Sequence, residues 1–379
     1  MFVFISKIAA FLTFLAAFNG VIAQNATWFI DQELRLQFFN SGKTTPITHH
    51  KVNNILTGGD FFIYTSPIEN IIRVWQDTTY ILHRFATSEI KTTRYLTLDN
   101  TNNILSVIYD DVKQPLSLGI PSTDGELRYA LADSVLAWVD YDGYFKIFYN
   151  SEVSIEGRYP IIQFDANYAS VFWLTENDAL FIWKNGQEIE IDNNASEYFI
   201  PGDNFVAYKN KANDFIIWDA GNTTLAEENW HNSFEVGKNI AAWVAYDNSF
   251  KLYANNQITE LLPVAPRSFT IVDNTLIFID DLGFFNIWYQ GKNYKVAPYT
   301  PTSFKCDFEG VVAFTDNDGR LHCFYEGDIR QISNLVLSTN AEQTKYNPQI
   351  AQNYNVTGRV IVYYTQNGLP NIYWNKQNY

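Results

Sequence analysis

Cysteine is nearly absent: Cys306 and Cys323 are the two in 379 residues, and methionine occurs once. A scaffold held by disulfides is therefore excluded. Both cysteines fall at places of the repeat described below that are otherwise aliphatic, and the reading there is of small buried apolar side chains, unbridged. Basic residues are also scarce, 26 Lys and Arg against 41 Asp and Glu, a formal net charge of −15. A nucleic-acid partner needs clustered cations for the phosphates, so this balance argues against one. Beyond the N-terminus no stretch reaches the roughly 18 uninterrupted apolar residues of a membrane-crossing helix. The chain contains no Gly-x-Ser-x-Gly, no His-Glu-x-x-His, no phosphate-cradling glycine loop and no paired redox cysteines. No catalytic residue, metal ligand or cofactor site is assigned from the sequence.

The first residues read as a secretory signal. Lys7 supplies the positive start, Ile8 to Phe18 the apolar run, and Val21-Ile22-Ala23 a small-residue cleavage site. Residues 1–23 are thus expected to be removed, leaving 24–379 as one domain. Loss of Lys7 leaves 25 basic and 41 acidic residues, a formal charge of −16. The expected address is the periplasm or outer membrane of a bacterial envelope, or outside the cell, with no membrane span after cleavage.

What the chain has in abundance is aromatic residues, 17% of the total, and they recur with a period. The stretch Leu180-Phe-Ile-Trp-Lys-Asn-Gly186 repeats with Trp218, Tyr253 and Trp288 in the place of Trp183, each 35 residues after the last. Outward from these, Phe324 and Tyr373 follow, while Phe148, Tyr109, Trp75 and Phe39 precede. The preceding column is apolar throughout: Phe38, Val74, Ile108, Ile147, Ile182, Ile217, Leu252, Ile287, Cys323 and Ile372.

One unit shows what the period encodes. Ser268 to Val272 alternates and is β-branched, Asp273-Asn274 turns, and Thr275 to Ile279 is a second apolar run. Asp280 to Gly283 turns again, Phe284 to Trp288 follows, and Gln290-Gly291 leads into Asn293 to Val296. Short β-prone runs separated by Asn, Asp and Gly predict four antiparallel strands. A lone four-stranded sheet cannot cover both faces, but sheets stacked radially cover one another. The expected fold is all-β: a β-propeller of four-stranded antiparallel blades in about ten repeats of ~35 residues. A single ring of nine or ten blades and two five-bladed rings both satisfy the count; the lack of a Pro/Gly/Ser linker mid-chain favours one ring. The first unit is expected to lack its first strand and the last its fourth. The rings are expected to pack between blades.

The strand pattern Phe284-Phe-Asn-Ile-Trp288 and Leu369-Pro-Asn-Ile-Tyr373 resembles the TolB-like propeller repeats of bacterial envelope proteins. That resemblance implies a non-catalytic protein-interaction module. Its concrete form is a periplasmic component docking on an outer-membrane translocon, as the plug protein of type IX secretion does. An exported carbohydrate-binding or carbohydrate-active propeller is the alternative, and requires aromatics such as Tyr141 or Tyr246 on the turn-bearing face.

Candidate partner contacts lie in the turns between second and third strands, which share one face of a propeller. Asp142, Asp178, Asp247, Asp281 and Asp318 are the foremost, forming an acidic rim for a basic partner segment or cation. Asp and Asn are also good turn formers, so the same residues serve local structure. Asp316-Asn-Asp-Gly319 and Asp140-Tyr-Asp-Gly143 read as turns, because neither continues into a full calcium loop. The stretch Asn334 to Gly358 lengthens the period to 49 residues and carries Glu342, Lys345 and Tyr346 as further contacts. His83 stands isolated, and His322 lies beside the core column.

Overall fold

A computed structural model describes residues 25–379 apart from 34, 51, 60, 69, 76–77, 84–88, 102–103, 111, 119–127, 141, 158–159, 309, 334–353 and 366–367. The leader and Glu342, Lys345, Tyr346 and Tyr141 lie outside the described residues.

Short β-branched and aromatic runs bounded by Asn, Asp and Gly form antiparallel strands throughout, and no helix occurs among the described residues. The strands make ten sheets, numbered here as blades 1 to 10 in chain order, each a simple meander. Blade 5 is representative, with strands Ile161–Asn167, Ser170–Thr175, Leu180–Lys184 and Gln187–Asp192. Its middle strands are buried on both faces. The hairpin after the third strand closes through two left-handed residues, as at Asn255 (φ 52°) and Asn256 (φ 60°), which matches the strand twist.

Blade 1 has three described strands, Ala26–Ile30, Leu36–Asn40 and Lys43–Pro46, as expected for a unit lacking its innermost strand. Blade 10 departs from expectation. It does have a fourth strand, Gln377–Asn378, too short to show a strand pattern in sequence.

The core is divided among the blade interfaces. Each of the ten adjacent pairs, including 10 with 1, has its own buried apolar cluster. The ring is therefore single and closed. Phe39, Phe148, Trp183, Trp218, Tyr253, Trp288, Phe324 and Tyr373 are buried, each in a different cluster and each against the preceding blade. The column thus works as expected at eight places.

At the other two the sequence column is displaced. Val74 pairs with Phe62 as Trp183 pairs with Val171, and Val74 packs in the interface of blades 1 and 2. Val74 therefore holds the ring's place in blade 2, and Trp75 stands one residue beyond it. Arg73 then takes the aliphatic place; it is buried, with its guanidinium 4.1 Å over the Phe61 ring. In blade 3, Tyr109 faces forward, edge-on to Phe148 of blade 4 at 6.3 Å. Adjacent strand residues face opposite ways, so a one-place error transfers a side chain to the other interface.

Closure joins Phe29 and Phe39 of blade 1 to Val360, Val362, Tyr364 and Ile372 of blade 10. The Ile30 amide donates to the Tyr364 hydroxyl (3.2 Å), and Trp374 Nε1 donates to Asn25 Oδ1 (3.0 Å). Trp374→Phe keeps most of the packing and deletes that last bond. It should cost about 1 kcal/mol, read as a lower urea midpoint at unchanged slope.

Candidate functional site

The meander sends turns alternately to the two ends of the ring. The turns between first and second strands gather at one mouth of the central channel, where they are tied edge to edge. The Gly59 amide donates to Arg94 O (2.7 Å), Tyr95 to Asp133 O (3.1 Å), Ser134 to Tyr168 O (3.2 Å), Asp203 to Lys238 O (2.7 Å) and Lys238 to Asp273 O (2.7 Å). Side chains complete the hoop: Asn204 N–H donates to Ser170 Oγ (3.1 Å), and Gly310 N–H to Thr275 Oγ1 (2.7 Å). The close approach explains the glycines just before these turns. A Cβ on Gly237 would lie 1.9 Å from the Asp273 carbonyl oxygen, and one on Gly202 2.5 Å from that of Lys238.

Arg94 reaches across this mouth. Its guanidinium lies 3.3 Å from Asp133 of blade 4 and 3.4 Å from Asp273 of blade 8, and 5.2 Å from the Phe308 ring centre of blade 9. Blades 3 and 8 are opposite in a ring of ten, so one side chain spans it. Burial disfavours the Arg94 cation, but the carboxylates of Asp133 and Asp273 outweigh it and raise its pKa further. Burial pushes the Asp133 carboxyl up, aided by the like charge of Asp273 and opposed by Arg94. Burial and the neighbouring Asp273 also keep the Tyr168 phenol far above its usual range. These groups form a structural cross-brace, with no nucleophile paired to a base. The sequence reading passed over them, although residues 94, 133, 168, 203, 238 and 273 repeat at spacings of 39, 35, 35, 35 and 35.

The second-to-third-strand turns occupy the other end. Their first residue is consumed by local structure. Asp140 Oδ1 accepts the amides of Asp142 and Tyr144, both at 2.9 Å, while Oδ2 pairs with Lys146. Asp280 and Asp316 repeat the arrangement, with Asn286 and His322 in place of Lys146. For Asp140, burial opposes the charged form, but Lys146 and the two amides hold the carboxyl below its usual range. Asx-turn chemistry thus explains these carboxylates.

The acidic residues expected at the rim are placed differently. Asp142, Asp247, Asp281 and Asp318 are exposed at the turn tips, whereas Asp178 is half-buried and paired with Lys211 at 2.8 Å. The Ser249 hydroxyl and amide lower the Asp247 carboxyl. Asp318 pairs with Arg320 at 3.3 Å. Exposed apolar residues share these turns: Tyr246 is 86% exposed, Ile68 73% and Leu282 68%. Blades 7, 8 and 9 therefore bring Tyr246, Asp247, Asp281, Leu282 and Asp318 to consecutive turns of one face.

Elsewhere His83, isolated in sequence, meets buried Asp99 at 2.6 Å; Asp99 also binds Lys113 (2.5 Å) and Thr101 (2.8 Å). Among the described residues no group of three His, Cys, Asp or Glu side chains is arranged to hold a metal. Cys306 and Cys323 are unbridged. Cys323 is buried as expected, while Cys306 is only partly so.

Residues 21–379 match the family described as the 10-bladed beta propeller domain. The chain belongs to that family. Comparison with curated proteins finds no match. Among solved structures, the eukaryotic initiation factor is similar at 10% identity and a TM-score of 0.47, covering 82% of this chain and 96% of that one. The designed Ika8 protein follows at 13% and 0.37, covering 72% and 96%. The CRINKLY WD40 ectodomain of the Arabidopsis thaliana receptor kinase ACR4 follows at 9% and 0.35, covering 64% and 97%. Likeness at this level carries no functional argument. A 10-bladed propeller is a fold consistent with a protein-interaction role.

Proposed function

We propose that this 10-bladed propeller is a non-catalytic, exported docking module of a bacterial envelope, binding a basic surface of an outer-membrane protein translocon. One observation carries the reading: exposed apolar residues at turn tips, Tyr246 and Leu282, stand among exposed carboxylates on one end of the ring. Apolar anchors within a polar surround are the anatomy of a protein interface. The acidic balance favours a basic partner and faster encounter. Export is supported by the N-terminal signal read from Lys7 to Ala23.

Affinity capture from envelope extracts with the mature chain should recover one membrane protein in stoichiometric amount. Tyr246→Ala should weaken that complex by about 2 kcal/mol, roughly thirtyfold in Kd. Replacing Asp142, Asp247, Asp281 and Asp318 with Lys should slow association about tenfold or more at low salt and remove its salt dependence. Full retention of the complex by both variants would overturn the docking face. The 86% exposure of Tyr246 also favours the carbohydrate reading, since an exposed ring on this face can stack on a sugar. A glycan array separates the two: specific glycan binding lost in Tyr246→Ala selects carbohydrate, and a blank array leaves protein docking.

A further inference from the structure

A cavity of about 420 Å³ opens between the innermost strands of blades 8, 9 and 10: Ser268–Val272, Ser303–Phe308 and Tyr354–Thr357. Four successive residues of blade 9, Phe304, Lys305, Cys306 and Asp307, line it. The strand alternates: Phe304 and Cys306 pack in the interface with blade 8, while Lys305 and Asp307 reach Tyr354, Asn355 and Gly358 of blade 10. The pairing with Val311–Thr315 shifts register between Cys306 and Phe308, leaving Asp307 as the bulged residue. Bulges recur beside binding sites.

We infer that this cavity binds a small zwitterion, a ligand carrying an ammonium group and a carboxylate a few bonds apart, with Lys305 taking the carboxylate and Asp307 the ammonium. The two charges sit two residues apart on one strand, roughly 6–7 Å along the backbone. Among the described residues neither has an opposite charge within 4 Å, and Arg94 acts on Asp307 only at longer range. Lys305 Nζ has the Asn355 amide oxygen at 3.5 Å and the Tyr354 ring centre at 5.6 Å. Asp307 Oδ2 accepts the Gly358 amide at 2.7 Å. A ligand of single charge would compensate one side chain and leave the other.

Burial lowers the Lys305 pKa; burial raises that of Asp307, opposed by the Gly358 amide and by Arg94 at longer range. Lys305 is half-buried and Asp307 exposed, so water reaches both. Val272 and Phe304 give the cavity an apolar wall for the connecting methylenes, and Thr270 offers a hydroxyl. The volume lies at the small end of the roughly 300–1,000 Å³ usual for ligand pockets. This proposal is independent of the docking face, because none of the residues lining the cavity lies in a turn between second and third strands.

The test titrates the mature chain with γ-aminobutyrate, butylamine and butyrate, which share a carbon skeleton and differ in charge, and with glycylglycine. Calorimetry should register γ-aminobutyrate or glycylglycine and give at least about tenfold weaker binding for butylamine and butyrate. Tighter binding of glycylglycine would identify a dipeptide as the source, and tighter binding of γ-aminobutyrate a free amino acid. Lys305→Met and Asp307→Asn should each lose about tenfold or more while their melting profiles stay two-state. In the wild type the bound zwitterion should slow maleimide labelling of Cys306, located by mass spectrometry, which needs no variant. Equal binding of a singly charged probe, retention by both variants, or no binding and no protection would overturn the assignment.

Discussion

Arg94→Ala should lower stability by about 3–5 kcal/mol, the usual cost of stranding a buried charge by removing its partner. Asp273 is almost fully buried and Asp133 largely so, and Arg94 is the guanidinium both meet. The loss should depend on pH. The Asp133 carboxyl is already raised in the folded protein. An acid with a raised folded pKa disfavours folding increasingly as pH climbs from its unfolded value, near 4, to the folded one. Without Arg94 that window widens upward. The variant's deficit should therefore be smallest at low pH and largest above the carboxylate range. Urea unfolding of both proteins from pH 4 to pH 8 measures it. A deficit below about 1 kcal/mol, or one constant across that range, would contradict the cross-brace. Adding Asp273→Asn to Arg94→Ala should restore part of the loss, since one stranded charge is then neutral.

The ring was legible in the sequence because every interface needs the same filling. A blade contacts two neighbours, so a residue that fills one interface recurs with the blade. Trp183, Trp218, Tyr253 and Trp288 fall 35 residues apart for that reason. The reading failed by one place at Trp75 and Tyr109, where neighbouring residues are both apolar and size alone does not reveal which way each faces. The Asp281 and Asp318 tips were legible because turn chemistry is local. The hoop was not, since Arg94 meets Asp273 across 179 residues and its value lies in opposing positions of a closed ring. The cavity was hidden similarly: nothing in Lys305-Cys306-Asp307 announces that Lys305 and Asp307 face a gap beside blade 10.

Trp183→Ala tests whether the repeated rings carry the ring's stability. Trp183 is 3% exposed, packs against blade 4 and meets Tyr149 edge-on at 5.5 Å. Truncation removes the transfer energy of the indole and leaves a void between two sheets that cannot easily approach, because both are fixed by their other neighbours. The expected loss is about 3–5 kcal/mol. Tyr109→Ala, at the displaced place, should cost distinctly less: its ring is half-exposed, with Phe148 left to cover the interface. Closure adds a consequence. In an open array a weakened interface lets one end fray independently. In a closed ring, opening one interface leaves both flanking blades held from their far sides. Trp183→Ala should therefore keep a single unfolding transition, with fluorescence and circular dichroism coincident at the lower midpoint. Two separated transitions would mean that blades 1–4 and 5–10 unfold independently, and that the contacts of blade 10 with Phe39 add little cooperativity.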